Sequence, residues 1–144
     1  MKNKYSIPVF VSVVAMGLGF YDLVRGFMHT VMLGYSAAHF AGLDLTIVQA
    51  ADLLRLLGLF GVSNLITGVM LILSAWLSRP LALAMLGVIP AAYGIGYLTI
   101  HHCLSMHPQS TAKWSGMTPF LVYLLICVIS FFAGIVVMWR RSRV

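Results

Sequence analysis

Apolar residues in this chain come in four long runs, about Ile7–Met28, Leu56–Leu77, Leu81–Ile100 and Pro119–Trp139, separated by short polar stretches. About 20 apolar residues in a helix cross a hydrocarbon layer of about 30 Å, so each run predicts one membrane span. The second, third and fourth runs hold no Asp, Glu, Lys or Arg. The residues left over form only loops and tails, so the prediction is one all-α domain over residues 1–144, an integral membrane four-helix bundle.

Punctuation at the run ends refines the boundaries. Thr46-Ile-Val-Gln49 has the form of a capping box and predicts that the second helix begins near residue 47, before its apolar run. Arg79-Pro80 predicts a tight turn between spans two and three, because proline is tolerated in a first helical turn. Thr118-Pro119 predicts an N-cap and first turn for span four.

Composition fixes the solvent. Hydrophobic residues make up 61% of the 144 residues and charged residues 8%, against about 45–50% and 25% in a soluble domain. Mean hydropathy is +1.00. So few charges cannot cover a soluble body, and lipid must surround most of the chain.

The formal charge of +6 concerns topology rather than nucleic acid, since the basic residues flank the apolar runs and form no stripe with interleaved aromatics. Lys2, Lys4, Arg79, Arg140, Arg141 and Arg143 fall on one side, and Lys113 alone lies in the loops of the other. The excess of Lys and Arg in cytoplasmic loops then predicts both termini in the cytoplasm and residence in the cytoplasmic (plasma) membrane. Tyr5, Trp76 and Trp139 would mark the inner interface and Trp114 the outer one. Lys2 and Lys4 before an apolar run resemble a signal peptide. The run is longer than a usual signal core and no A-x-A site follows, so it is read as a retained span.

Polar residues within the runs gather toward the outer end. Asp22, Arg25 and His29 follow one helical stripe, and Asp52 and Arg55 open span two. Asp22-Leu-Val-Arg25 and Asp52-Leu-Leu-Arg55 share a D-L-x-R pattern, which on antiparallel neighbours predicts two crossed ion pairs. Tyr93, Tyr97 and His101 add a stripe from span three. Tyr123, Cys127, Ser130 and Gly134 add one from span four, its small members permitting close helix contact. Turned inward together, these stripes predict a polar chamber in the outer half above an apolar inner half. Its charges either fix helix register, or leave Arg25 or Arg55 to hold an anionic headgroup, a quinone oxygen or a carboxylate.

Other chemistry is limited. Cys103 and Cys127 stand 24 positions apart without a CxxC, so nothing supports a thiol relay, and Cys127 reads as a small packing residue. His29, His101, His102, Cys103 and His107 form a candidate metal set for copper or haem, with thioethers at Met28, Met32 and Met106. Asn64 reads as interhelical hydrogen-bonding glue. No nucleophile elbow or phosphate loop is present, and the chain has no Glu.

The stretch Gly58-Leu-Phe-Gly-Val-Ser-Asn-Leu-Ile-Thr-Gly-Val-Met-Leu-Ile-Leu, the Leu-Ser-Arg79 turn and the run to His101-His102 resemble the DoxX-like group. These are small four-helix membrane proteins with a Gly-rich second span and a short basic turn. The resemblance covers half the chain and implies a subunit of a membrane redox complex, some members being associated with thiosulfate:quinone oxidoreduction. This chain has Asn64 where the group's pattern leads one to expect an acidic residue.

The residues and the resemblance together favour a non-catalytic accessory subunit or small-ligand binder. It would be surrounded by membrane lipid and assembled as a homo-oligomer or within a larger membrane complex, with no nucleic-acid partner. The alternatives are a haem- or copper-binding oxidoreductase or metal-handling protein using the outer histidines, and an oligomeric transporter or channel protomer.

Overall fold

The computed structural model describes residues 7–104 and 116–143, and every regular element in them is an α-helix. The helices are α1 (Val9–Thr30), α2 (Leu33–His39), α3 (Ala50–Leu77), α4 (Arg79–Leu104) and α5 (Met117–Ser142). All but α2 are long and apolar enough to span a membrane, as expected of a multi-pass membrane protein.

The outward faces explain why. Leu59, Val62, Ile66, Val69, Leu73 and Trp76 on α3 are all exposed, and so are Val122, Leu125, Ile129, Phe132, Val136 and Trp139 on α5. Steps of three and four place each set on one stripe. A helix in water presents charge on that stripe; here it presents hydrocarbon, which only lipid can solvate.

The helix ends correct several expectations. α3 begins at Ala50, not near 47, and its N-cap Gln49 makes no side-chain cap hydrogen bond. Thr46 turns away instead, its amide donating to Asp44 Oδ1 at 2.9 Å and its hydroxyl at 2.6 Å. These two donors hold the exposed Asp44 carboxyl below the usual carboxylate range. The local aspartate thus wins the threonine that the capping box required. For α5 the N-cap is Gly116, which places Thr118 and Pro119 inside the first turn. Arg79-Pro80 does open α4, after Ser78 alone in extended conformation.

The short helix α2 was not legible in the periodicity. Ser36 and Ala37 anchor its inner side, and Gly42 (φ 63°) supplies the left-handed residue that turns the chain after it.

α1 is the central helix, touching α3, α4 and α5, while α4 also touches α3 and α5. Its closest neighbour is α3, and glycines permit the approach. A Cβ on Gly68 would stand 2.7 Å from the Gly19 carbonyl oxygen, and one on Gly26 would stand 2.9 Å from that of Gly61. Both pairs are spaced by seven residues, so the antiparallel helices meet twice on one face.

Between Ser78 and the middle of the helices lies a core of Val11, Ala15, Leu18, Leu71, Ala82, Leu83 and Leu86. Arg79 reaches across at that end, its guanidinium donating to the Ile7 carbonyl at 3.3 Å. The opposite half carries the buried polar groups Asp22 and Asn64 and holds the site.

The glycine contacts generate a test. Gly68→Ala forces α1 and α3 apart and should destabilise by about 1–3 kcal/mol, read as a lowered melting temperature in detergent. Gly94→Ala has nothing within 4 Å of the new methyl and should leave the melting temperature unchanged or raise it slightly.

Candidate functional site

The buried stripe of α1 runs Val11, Ala15, Leu18, Gly19, Asp22 and Gly26. Asp22 therefore sits between the two glycines that meet α3, roughly 20 Å along the helix from Val9. It is 2% exposed. A carboxylate so placed requires a donor, and Tyr123 of α5 provides one, its hydroxyl donating to Asp22 Oδ2 at 2.7 Å. The Tyr123 ring stacks on Tyr21 with centroids 5.8 Å apart, and Cys127, one turn further along α5, is fully buried beside it.

Arg25 stands one turn beyond Asp22 but does not pair with it. Its guanidinium carbon lies 4.9 Å from the centre of the Phe60 ring, 5.7 Å from Phe120 and 6.0 Å from Tyr21. Three aromatic faces thus surround one cation. The Tyr93 hydroxyl lies beside it, and the Tyr93 ring meets Phe120 edge-on at 4.8 Å.

The chain has only three acidic side chains, and each is committed elsewhere. Asp22 bonds to Tyr123, Asp44 to Thr46, and Asp52 to Arg55 at 3.1 Å. Among the described residues, no carboxylate lies within 4.0 Å of Arg25.

Arg25, His29 and Tyr21 provide the charged and polar side chains of a cleft of about 260 Å³, whose other walls are Val24, Met28, Phe40, Phe60, Gly116 and Pro119. His29 is fixed by a 2.6 Å hydrogen bond shared between its Nδ1 and the Oγ of the buried Ser36. That bond ties α2 to α1 and brings the following Phe40 to the cleft wall. Val24, Tyr21 and Phe40 are exposed at the rim, so the cleft opens at the apolar surface.

The expected polar chamber is thus redistributed. Asp22, Arg25, His29 and Tyr93 do come to one region. Asp52 and Arg55 do not: they form an exposed pair within α3, with side chains 72% and 78% accessible. Gly61 packs on His29, which puts Asp52 roughly 24 Å from Asp22 along the antiparallel axes. The two D-L-x-R tetrapeptides therefore cannot cross, because α2 and its loop displace the start of α3 beyond the end of α1.

Tyr97 and His101 are exposed and lie against each other, centroids 5.8 Å apart, outside the cleft. His102 and Cys103 are exposed at the end of α4, and His107 lies outside the described residues. No three His, Cys, Asp or Glu side chains among the described residues converge as metal ligands.

Sequence reasoning missed the role of Tyr123, although it heads the small-residue stripe of α5 and its hydroxyl had to find a partner. Phe60 gave no signal, because an aromatic residue in an apolar run looks like lipid-facing surface, and Ser36 and Phe40 gave none because they fall between the runs. Asn64 is buried as expected of glue, but its Nδ2 has no hydrogen-bond partner among the described residues. No protein-family model, curated protein or solved structure matches the chain.

The Asp22–Tyr123 bond predicts a specific pattern of stability. Tyr123→Phe leaves a buried carboxylate without its donor and should destabilise by about 1–3 kcal/mol. Adding Asp22→Leu should recover most of that loss, since the remaining pair is apolar. Melting temperatures of the single and double variants in one detergent check both statements.

Proposed function

We propose that this chain is a four-helix bundle of the cytoplasmic membrane, with both termini inside, that binds a small ligand in the Arg25 cleft as an accessory subunit of a membrane complex. The observation that carries this reading is Arg25 itself. A guanidinium in an apolar helix is costly, and among the described residues no carboxylate stands within 4.0 Å of this one. The surrounding ring faces steady the cation without covering all five of its donors. A cleft that adjoins such a group and opens toward lipid is suited to an occupant that brings its own acceptor.

Charge placement supports the orientation. Arg79, Arg140, Arg141 and Arg143 stand at one end of the spans with Trp76 and Trp139. Asp44, Asp52 and Arg55 stand at the other. That asymmetry is of the positive-inside kind and supports a cleft in the outer leaflet. The resemblance to DoxX-like proteins agrees with an accessory role in a redox-associated complex. Neither haem nor copper handling gains a specific observation, since no three His, Cys, Asp or Glu side chains converge among the described residues.

Two measurements test the reading. Cys103 is exposed at the end of α4 whereas Cys127 is buried. A membrane-impermeant maleimide applied to intact cells should label Cys103 and not Cys127; labelling of Cys103 only after the membrane is opened overturns the orientation. Native mass spectrometry of the purified protein should show a bound small molecule on an assembly larger than the 15.8 kDa chain. Val24→Trp, which adds bulk at the cleft rim, should lose that molecule. A bare monomer in both preparations overturns the ligand-binding subunit.

A further inference from the structure

The shape and charge of the cleft narrow its occupant to one chemical class. We infer that the Arg25 cleft binds a single-chain amphiphile with a singly charged oxyanion head, the chemistry of a long-chain fatty acid, entering sideways from the surrounding leaflet. This rests on the reading of the cleft as a ligand site.

Charge sets the head. Among the described residues, Arg25 is the one permanent cation that lines the cleft, and its other polar wall residues are Tyr21 and His29, the latter sharing its Nδ1 with Ser36. Asp22 does not line the cleft; its Oδ2 accepts from Tyr123 on the core side of α1. A guanidinium presents paired N–H donors that match the two oxygens of a carboxylate, and a single head charge matches a single cation. A doubly charged phosphomonoester would bring a second negative charge that no second cation among the described wall residues matches.

Size sets the rest. A volume of about 260 Å³ holds roughly nine atoms at the ~30 Å³ that a water molecule occupies in the liquid. That accommodates a carboxylate and the first few methylenes, and it is too small for a glycerol backbone carrying two acyl chains. The walls beyond Arg25 are the side chains of Val24, Met28, Phe40 and Phe60, which suit methylene groups rather than a hydrated solute. Because Val24 is 61% exposed at the rim, the remaining chain can leave the cleft along the apolar outer face of α1, past the exposed Phe20.

The test uses the full-length protein reconstituted in nanodiscs of zwitterionic lipid, with the fluorescent fatty acid cis-parinaric acid as probe and its methyl ester as the uncharged control. Wild-type protein should bind the acid at least tenfold more tightly than the ester. Arg25→Gln should lose that preference by weakening the acid about tenfold to a hundredfold while leaving the ester unchanged. Arg25→Lys keeps the charge without the fork and should fall between them. Arg55→Gln, in the exposed pair on α3, should behave as wild type. Competition by a lysophospholipid with a phosphodiester head, if as strong as that by oleate, overturns the carboxylate assignment.

Equal binding of acid and ester by the wild type overturns the oxyanion head, yet leaves the ligand site standing if Val24→Trp abolishes both. Binding of both probes undiminished by Val24→Trp removes the site itself. Arg25→Gln that binds the acid like wild type overturns the inference, and an unchanged melting temperature shows that this variant is folded.

Discussion

Hydrocarbon supplies no hydrogen bonds, so a carboxylate carried into it must find its donor within the protein. Asp22 meets that demand through Tyr123, and the bond joins α1 to α5 across 101 positions of sequence. With Oδ2 of Asp22 turned toward α5, the carboxylate makes no contact ion pair with the arginine one turn along its own helix. Arg25 is left to aromatic faces, and the cleft follows from that separation. The bond that satisfies the core also leaves a cation at the edge.

Close approach of α1 and α3 makes the arrangement compact enough for this to happen. The two glycine crossings at Gly19 with Gly68 and Gly26 with Gly61 bracket Asp22 on one helix and Asn64 on the other. Lipid provides little force to drive apolar helices together, so backbone contact of this kind takes the place that hydrophobic burial has in water. α4 then adds bulk where glycine does not reach, packing Leu83 and Leu86 into the apolar half.

Much of the fold was legible in the sequence because its cause is local. Runs of about 20 apolar residues can do little else in a membrane protein than form spanning helices, and Arg79-Pro80 could only open one. The site was legible in part. Asp22, Arg25, His29 and Tyr93 announce themselves by polarity in apolar runs. Whether Arg25 would meet Asp22 or Asp52 depended on the axial offset of α3, and that offset is set by a seven-residue helix whose only periodic signal is the buried pair Ser36 and Ala37. Thr46 shows the same limit at a smaller scale. Its spacing to Gln49 obeyed the capping rule, but Asp44 two residues earlier offered a nearer acceptor. Phe60 and Phe120 were invisible as site residues because an aromatic ring facing lipid and one facing a guanidinium have the same sequence signature.

The link between α3 and α4 bears on how the protein is made. Ser78 alone separates Leu77 from Arg79, a connection too short to let either helix rest in the bilayer while the other waits in water. That connection suits insertion as a single helical hairpin, with Arg79 and its neighbouring Trp76 at the turn. On that route, assembly in the membrane begins with three insertion units rather than four. α1, carrying Asp22 and still without Tyr123, must persist in the bilayer until the last of them arrives.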